Sequence, residues 1–288
     1  MEEELTLAGG PPHGSRRRGG VRGITARVEA NLTISSASNL VLKSVRAALA
    51  GRDQERMVLE GDRLIADALG AGISIETILV ADDRESMAAS WEAEGLPVRR
   101  VLADLLARTS GLTTSPGSIA LAPRPTSKGV EELELTANAL VLVAAGISDP
   151  GNLGALARSA EAAGAEALVV LAGGANPWSS KALRGSMGSL LRLPVLTGHD
   201  ATELAAALTA RGLRQVTAGT RGGAPFSDFD WSGPLALWMA SEVGELPDAT
   251  TAFESVTIPM AGQVESLNVG VAGALLLFAA ERWRGASS

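Results

Sequence analysis

The second half of the chain alternates continuous apolar runs with segments of helical period. "ANALVLVAAGI" reads as a fully buried strand, "NLGALARSAEAAG" as a helix and "AEALVVLAG" as a second strand. A helix around "SSKALRGSMGSLL", a short strand "LPVL" and a helix "ATELAAALTARG" follow. Then come strands at "RQVTAGT", "LALWMASE" and "SVTIPM", and an apolar helix from Leu267 to about Trp283. Strands that are apolar throughout and alternate with helices predict a parallel sheet covered on both faces. Ligands of such sheets bind at the carboxyl ends of the strands. The polar and glycine-rich stretches of this half, 147–158, 217–224, 241–247 and 258–268, all fall at those ends.

The first half follows another pattern. Residues 1–30 are rich in Gly, Arg and Pro, lack periodicity and read as a flexible basic tail. A Ser/Asn start and apolar spacing predict a helix over 35–50. "RMVLEGDRLIADALGAG" reads as a strand and a helix, "IETILVAD" as a strand, and "VRRVLADLLARTSG" as a strand and a helix. "TTSPGSIALAPRPTSKG" holds one more strand between Pro and Gly. These segments predict a small α/β unit over 31–124, a linker over 125–138 and a second unit over 139–288.

Composition narrows the chemistry. Hydrophobic residues make up 46% but aromatic ones only 3%, with no Tyr, so the core must be aliphatic. The absence of Cys removes disulfides, thiolate nucleophiles and thiolate metal ligands. The only histidines, His13 and His199, are too far apart in sequence to suggest a metal site, and no metal is expected. No secretory h-region opens the chain, and the longest apolar run, "VGVAGALLLFAA", is too short to span a bilayer. The expectation is a cytoplasmic protein without membrane contact. Net charge is −7, yet residues 16–56 hold nine basic and three acidic side chains. Such a local zone can bind phosphates, because screening confines charge interactions to about 10 Å at 0.1 M salt. For the "RRRGGVRG" run, RNA contact and a merely solvated tail stand as alternatives.

Familiar phosphate and nucleophile signatures are missing: no G-x-G-x-x-G follows a strand, and there is no P-loop and no hydrolase elbow. Three loops remain. In "DPGNLGALARSA", Asn152 and Arg158 are about 240° apart round a helix, so they share a face only if Asn152 belongs to the loop. A helix cap at Asn152 and a surface ion pair at Arg158 are the bland alternative. In "ASEVGELP", Glu242 ends a strand and Gly244 could admit a ligand. In "IPMAGQVESLNVGVAG", Ser266 and Asn268 open a helix that carries Gly270 and Gly273, each costing about 1 kcal/mol against Ala in a helix interior. That pattern reads either as an N-cap at Ser266 with glycines for close packing, or as a site at the helix start.

"DPGNLGALARSA", "LWMASEVGEL" and "IPMAGQVESLNVGVAGALL" resemble the three ordered motifs of the SpoU/TrmH-type RNA ribose 2′-O-methyltransferases of the SPOUT superfamily, over about residues 139–284. The segment 42–82 is similar to the small RNA-binding domain that precedes many of these catalytic domains. Two positions depart from the pattern: Ala240, where a glycine often stands, and Gly270, where a serine is common. The resemblance implies an α/β fold with a deep trefoil knot in its mostly parallel sheet, a homodimer, and S-adenosyl-L-methionine held in the knot. It implies cofactor contacts at Thr217, Ala218, Gly219, Glu242, Gly244, Ile258, Met260 and Leu267. It implies that Arg158 binds the target phosphate, polarises the ribose 2′-hydroxyl and accepts its proton late. Asn152, Ser266 and Asn268 would orient Arg158 and the ribose, and Glu242 would fix Asn152 or shape the cofactor loop. The glycines would let the last helix lie close to neighbouring backbone.

RNA selection is expected of the first unit, with Lys43, Arg46, Arg52 and Arg56 on phosphates and Arg16, Arg17 and Arg18 as a mobile arm. Within the family, the actinomycete enzymes that methylate a uridine ribose in 23S rRNA and confer antibiotic resistance are the nearest in pattern. A tRNA ribose methyltransferase is the alternative of the same class. A non-catalytic RNA-binding or ribosome-assembly protein and a nucleotide-dependent oxidoreductase are alternatives of other classes.

Overall fold

The computed structural model describes residues 32–220, 222–240 and 246–285. Helix α1 (Leu40–Leu49) starts later than its pattern suggests, because the Asn39 carboxamide accepts the Val41 N–H at 2.9 Å and sets the helix start. Strand β1 (Arg56–Glu60) and helix α2 (Asp62–Gly70) follow, then β2 (Thr77–Ala81). Helix α3 (Glu85–Ala93) was not anticipated; only Ala88 and Trp91 of it are buried, too few for a clear apolar period. Strand β3 (Val98–Val101), helix α4 (Ala103–Thr109) and strand β4 (Ser118–Pro123) complete the unit. Its sheet runs β1-β4-β2-β3, with only β2 and β3 parallel.

The stretch expected as a linker is partly packed. A 3₁₀ turn at Val130–Glu132 buries Val130, Leu133 is buried beside it, and the Arg211 guanidinium donates to the carbonyls of both.

The second unit opens with β5 (Leu140–Ala145), α5 (Pro150–Ala162) and β6 (Ala167–Leu171). The single helix expected next is two: α6 (Ser180–Gly185) and α7 (Ser189–Arg192). Ser186 is fully buried and donates to the Leu183 carbonyl, and Gly188 adopts a left-handed φ of 86°, which no continuing helix allows. Then come β7 (Val195–His199), α8 (Ala201–Ala210), β8 (Arg214–Gly219), a two-residue edge strand β9 (Ala224–Pro225), β10 (Leu235–Ala240), β11 (Glu254–Thr257) and α9 (Val269–Gly285).

All seven strands are parallel, in the order β7-β6-β5-β10-β8-β11-β9. The sheet is covered on both faces, as its apolar runs require. Leu140, Leu142 and Ala144 of β5 pack on the α5 side, and Val141, Val143 and Ala145 on the α8 side. The α5-side cluster continues without a break into Met57, Leu59 and Ile65 of the first unit, so the two units share one apolar core. Among the described residues, no helix is long and apolar enough to cross a membrane.

At the far end of α5, the Arg192 guanidinium donates to both Glu161 carboxylate oxygens, at 2.6 and 2.8 Å. That hydrogen bonding holds the Glu161 pKa below its ordinary value. A depressed folded pKa contributes stability above the unfolded value of about 4.3, lost as pH falls through the folded value. Glu161→Gln should therefore flatten the acid limb of a melting-temperature profile below about pH 4.3 and leave the Arg192 side otherwise intact. An unchanged limb would show that the pair does not contribute.

Candidate active site

The carboxyl ends of β8, β10 and β11 open into one cleft of about 320 Å³. Its walls are Ala218, Gly219 and Thr220, Met239 and Ala240, Ile258 and Met260, the turn Glu265–Leu267, and Val269, Ala272 and Leu276 of α9. Of the residues expected at a cofactor, Ala218, Gly219, Ile258, Met260 and Leu267 are therefore together. Thr217 is not with them: it is buried in β8 and its hydroxyl donates to the Glu254 carbonyl of β11 at 3.1 Å. Its side chain ties two strands together instead of facing a ligand. Glu242 and Gly244 lie outside the described residues. Met239, Ala272 and Leu276 were missed; the signal was there in the helical spacing of 269, 272 and 276.

The start of α5 differs from the bland reading in a useful way. Asp149, not Asn152, is the cap: its carboxylate accepts the Asn152 N–H at 2.9 Å, with Pro150 in the first turn. Lys181 hydrogen-bonds the same carboxylate and, together with the Asn152 N–H, lowers its pKa. Relieved of capping, the Asn152 side chain accepts from Asn268 Nδ2 at 3.1 Å, across 116 positions of sequence.

Asn268 also caps α9. Its Oδ1 accepts the Gly270 N–H at 3.0 Å and its carbonyl accepts the Ala272 N–H at 2.9 Å. Ser266, read as the cap, sits two residues earlier in the cleft wall, and the helix begins at Val269 instead of Leu267. The two glycines face side chains, where backbone was expected. A Cβ on Gly270 would come 3.2 Å from Ala155 Cβ, and one on Gly273 would overlap Leu156 Cδ2. They let α9 cross α5 closely enough for Asn268 to reach Asn152.

Arg158 is separate. Asn152, Ala155 and Leu156 face α9, whereas Arg158 is exposed and does not line the cleft. A hydrogen bond thus joins Asn152 to Asn268, two residues after Ser266, while Arg158 stands exposed on α5.

The basic residues of the first unit divide in two. Arg46 donates to the Ala37 carbonyl at 2.8 Å and to Thr109 Oγ1 at 3.3 Å, bracing α1 against α4. Arg56 pairs with Asp53 at 2.7 Å and Glu76 at 3.6 Å. Both guanidinium groups are thus engaged within their own unit, and Lys43 and Arg52 are expected to contribute more to any phosphate contact. Lys43 and Arg52 are exposed, while Arg16, Arg17 and Arg18 lie outside the described residues. Lys43→Ala and Arg52→Ala should each lower the slope of log affinity against log salt by about 0.7–0.9 if the ligand is RNA. Arg46→Ala should leave that slope alone and lower the melting temperature. The reverse pattern in a filter-binding titration would return Arg46 to the interface.

The SpoU rRNA Methylase family model matches residues 139–278. The chain is 30% identical over 251 residues to the Bacillus subtilis 23S rRNA (guanosine(2553)-2′-O)-methyltransferase RlmP, covering 85% of this chain and 97% of the relative. It is 29% identical over 236 residues to the 23S rRNA (uridine(2479)-2′-O)-methyltransferase of Streptomyces viridochromogenes, covering 78% and 82%. The solved SpoU methyltransferase AviRb from Streptomyces viridochromogenes, in complex with the cofactor AdoMet, superposes with a TM-score of 0.77 at 26% identity over 86% of this chain and all of that one. With the expected parallel sheet, the joined loops and a relative matched over nearly its whole length, the chain belongs to the SpoU rRNA methylase family.

Proposed function

We propose that the chain transfers a methyl group from S-adenosyl-L-methionine to a ribose 2′-hydroxyl of 23S rRNA, at a uridine, and that the product protects ribosomes from an antibiotic. The observation that supports the reading is the Asn152–Asn268 contact, which joins the start of α5 to the turn whose neighbours Leu267 and Val269 line the cleft. The cleft suits the donor: Met239, Ile258, Leu267 and Leu276 offer apolar walls for an adenine, and the small residues Ala218 and Gly219 let backbone groups approach it. The bound donor supplies an electrophilic methyl group.

The chain's own task is placement and proton control. The acceptor oxygen must be held about 3 Å from the methyl carbon, in line with the bond that breaks. The paired carboxamides of Asn152 and Asn268 fix each other and so hold the two loops in place beside the ribose. Arg158 neutralises the adjoining phosphate and stabilises negative charge developing on the 2′-oxygen, so that the hydroxyl proton can pass to solvent water as the new C–O bond forms. Its guanidinium acts through its positive charge.

Arg158 is exposed, and α9 beside it carries an exposed apolar stripe of Val271, Leu275 and Phe278. These residues recur at helical spacing and support a homodimer in which this face is covered and Arg158 reaches the cleft of the partner. The trefoil knot belongs to the same reading. After β11 the chain must cross the ends of β8 and β10 to bring α9 against α5. A cytoplasmic location follows from an rRNA substrate.

The test is primer extension at low nucleotide concentration on 23S rRNA and tRNA incubated with enzyme and S-adenosyl-L-methionine. A new stop at a 23S uridine, with higher antibiotic tolerance in expressing cells, is expected. A stop at a guanosine would place the chain with the Bacillus relative's activity, and a stop confined to tRNA would replace the rRNA assignment. Calorimetry showing no heat with S-adenosyl-L-methionine would overturn the enzyme reading altogether.

A further inference from the structure

The helix that carries Asn152 and Arg158 is held from its sides, and the holding groups trace back to the first unit. The Glu60 side chain, at the end of β1, is completely buried. One carboxylate oxygen accepts from Ser110 Oγ at 2.6 Å and from the Gly111 N–H at 2.9 Å, both in the first unit. The other accepts from Ser180 Oγ and, at 2.7 Å, from Arg184 Nη1, both on α6 of the second unit. A buried carboxylate with partners on two units fixes their relative position, because losing any partner leaves charge unsatisfied.

Helix α6 in turn abuts α5. An added Cβ at Gly154 would lie 2.5 Å from the Ala182 carbonyl oxygen, so the two helices touch through backbone. Lys181 of α6 binds Asp149, the cap of α5. At the other end, Arg192 of α7 bonds Glu161 of α5 and approaches Asp67 of the first unit at 3.9 Å. Both ends of α5 are thus tied, through α6 and α7, to carboxylates of the small unit.

We propose that Glu60 is a positioning residue for methyl transfer: by locking α6 to the first unit it fixes α5, and with it Asn152 and Arg158, relative to the donor cleft. This rests on the methyltransferase reading above. It makes the first unit a structural part of the catalytic centre in addition to any part in RNA selection. Since α9 and the strand ends line the cleft without help from α6, donor binding should not depend on the lock.

The test compares wild type with Glu60→Gln, which preserves shape and removes the charge, at a temperature where circular dichroism shows both folded. Displacing a positioned group by an ångström can cost about 10²-fold in rate, so kcat should fall by about tenfold or more. Affinity for S-adenosyl-L-methionine and KM for rRNA should stay near wild type. Hydrogen exchange of the free protein should show lost protection in α5 and retained protection in β5 and β10. Unchanged exchange in α5 together with unchanged kcat overturns the proposal. Loss of donor affinity in parallel with kcat also overturns it, since that would mark general loosening. If wild type itself fails to methylate rRNA, the functional reading fails, while the exchange data still decide whether Glu60 holds α5.

Discussion

Arg158→Ala should reduce methylation by about 10²–10³-fold, the scale seen when one preorganised charge-stabilising group is removed, and leave S-adenosyl-L-methionine binding unchanged. The two halves of this expectation come from separate facts. The residue does not line the donor cleft, so its loss takes nothing from the walls that grip a donor. It is exposed on the open side of α5, where it can meet a phosphate and a ribose brought by RNA. Folding should not be affected either, because truncation of an exposed side chain away from caps and cores changes stability by no more than about 0.5 kcal/mol. Single-turnover methylation with saturating donor and RNA reads the chemical step directly. Wild-type turnover by the variant would remove Arg158 from the reaction. An equal loss of donor affinity would place it in the cleft instead. Mixing Arg158→Ala protein with a variant defective only in the cleft offers a stricter check of the dimer: activity should return if the arginine of one copy serves the other.

Much of this arrangement is written in local sequence. Strands β5, β6 and β10 are apolar at every position, as the interior of a parallel sheet covered on both faces requires, and they lie where their patterns fall. The loops at their ends were therefore legible as a site. What local pattern could not supply was contact between elements. Asn152 has the same sequence neighbours whether it caps its helix or reaches Asn268, and only the nearby Asp149 hints that the cap is already taken. Arg46 and Arg56 look like phosphate ligands by charge; Asp53, three residues before Arg56, was a legible partner, whereas Thr109 and Glu76 lie on segments brought alongside by the fold. Glu60 stands at the end of a short strand with nothing local to mark it, and the groups that make it a junction stand 50 to 124 residues away.

Gly154→Ala should be the most damaging single-methyl substitution in α5. Propensity alone points the other way, since alanine gains about 1 kcal/mol over glycine in a helix interior. The surroundings reverse the sign. The new Cβ would lie 2.5 Å from the Ala182 carbonyl oxygen, 2.8 Å from the Ser186 nitrogen and 2.9 Å from the Gly185 carbonyl carbon. All three are backbone atoms of α6 and its end, which cannot rotate away as a side chain can. At Gly273 the nearest atom is the tip of Leu156, so the same change there should be milder. Overpacking costs about 1–3 kcal/mol and more where neighbours are rigid. The cost at Gly154 should lie at the upper end of that range after the propensity gain is deducted. Near 2–4 °C per kcal/mol for a unit of this size, the melting temperature should fall by several degrees. Gly70→Ala is the control: it ends α2 with nothing within 4 Å of the added methyl and should be neutral or slightly stabilising. Because α5 can relieve the clash only by moving off α6, residual Gly154→Ala protein should also lose turnover well below its melting temperature. A Gly154→Ala protein as stable as wild type would mean that α5 and α6 are not in backbone contact, and the route from Glu60 to Asn152 would be broken at that point.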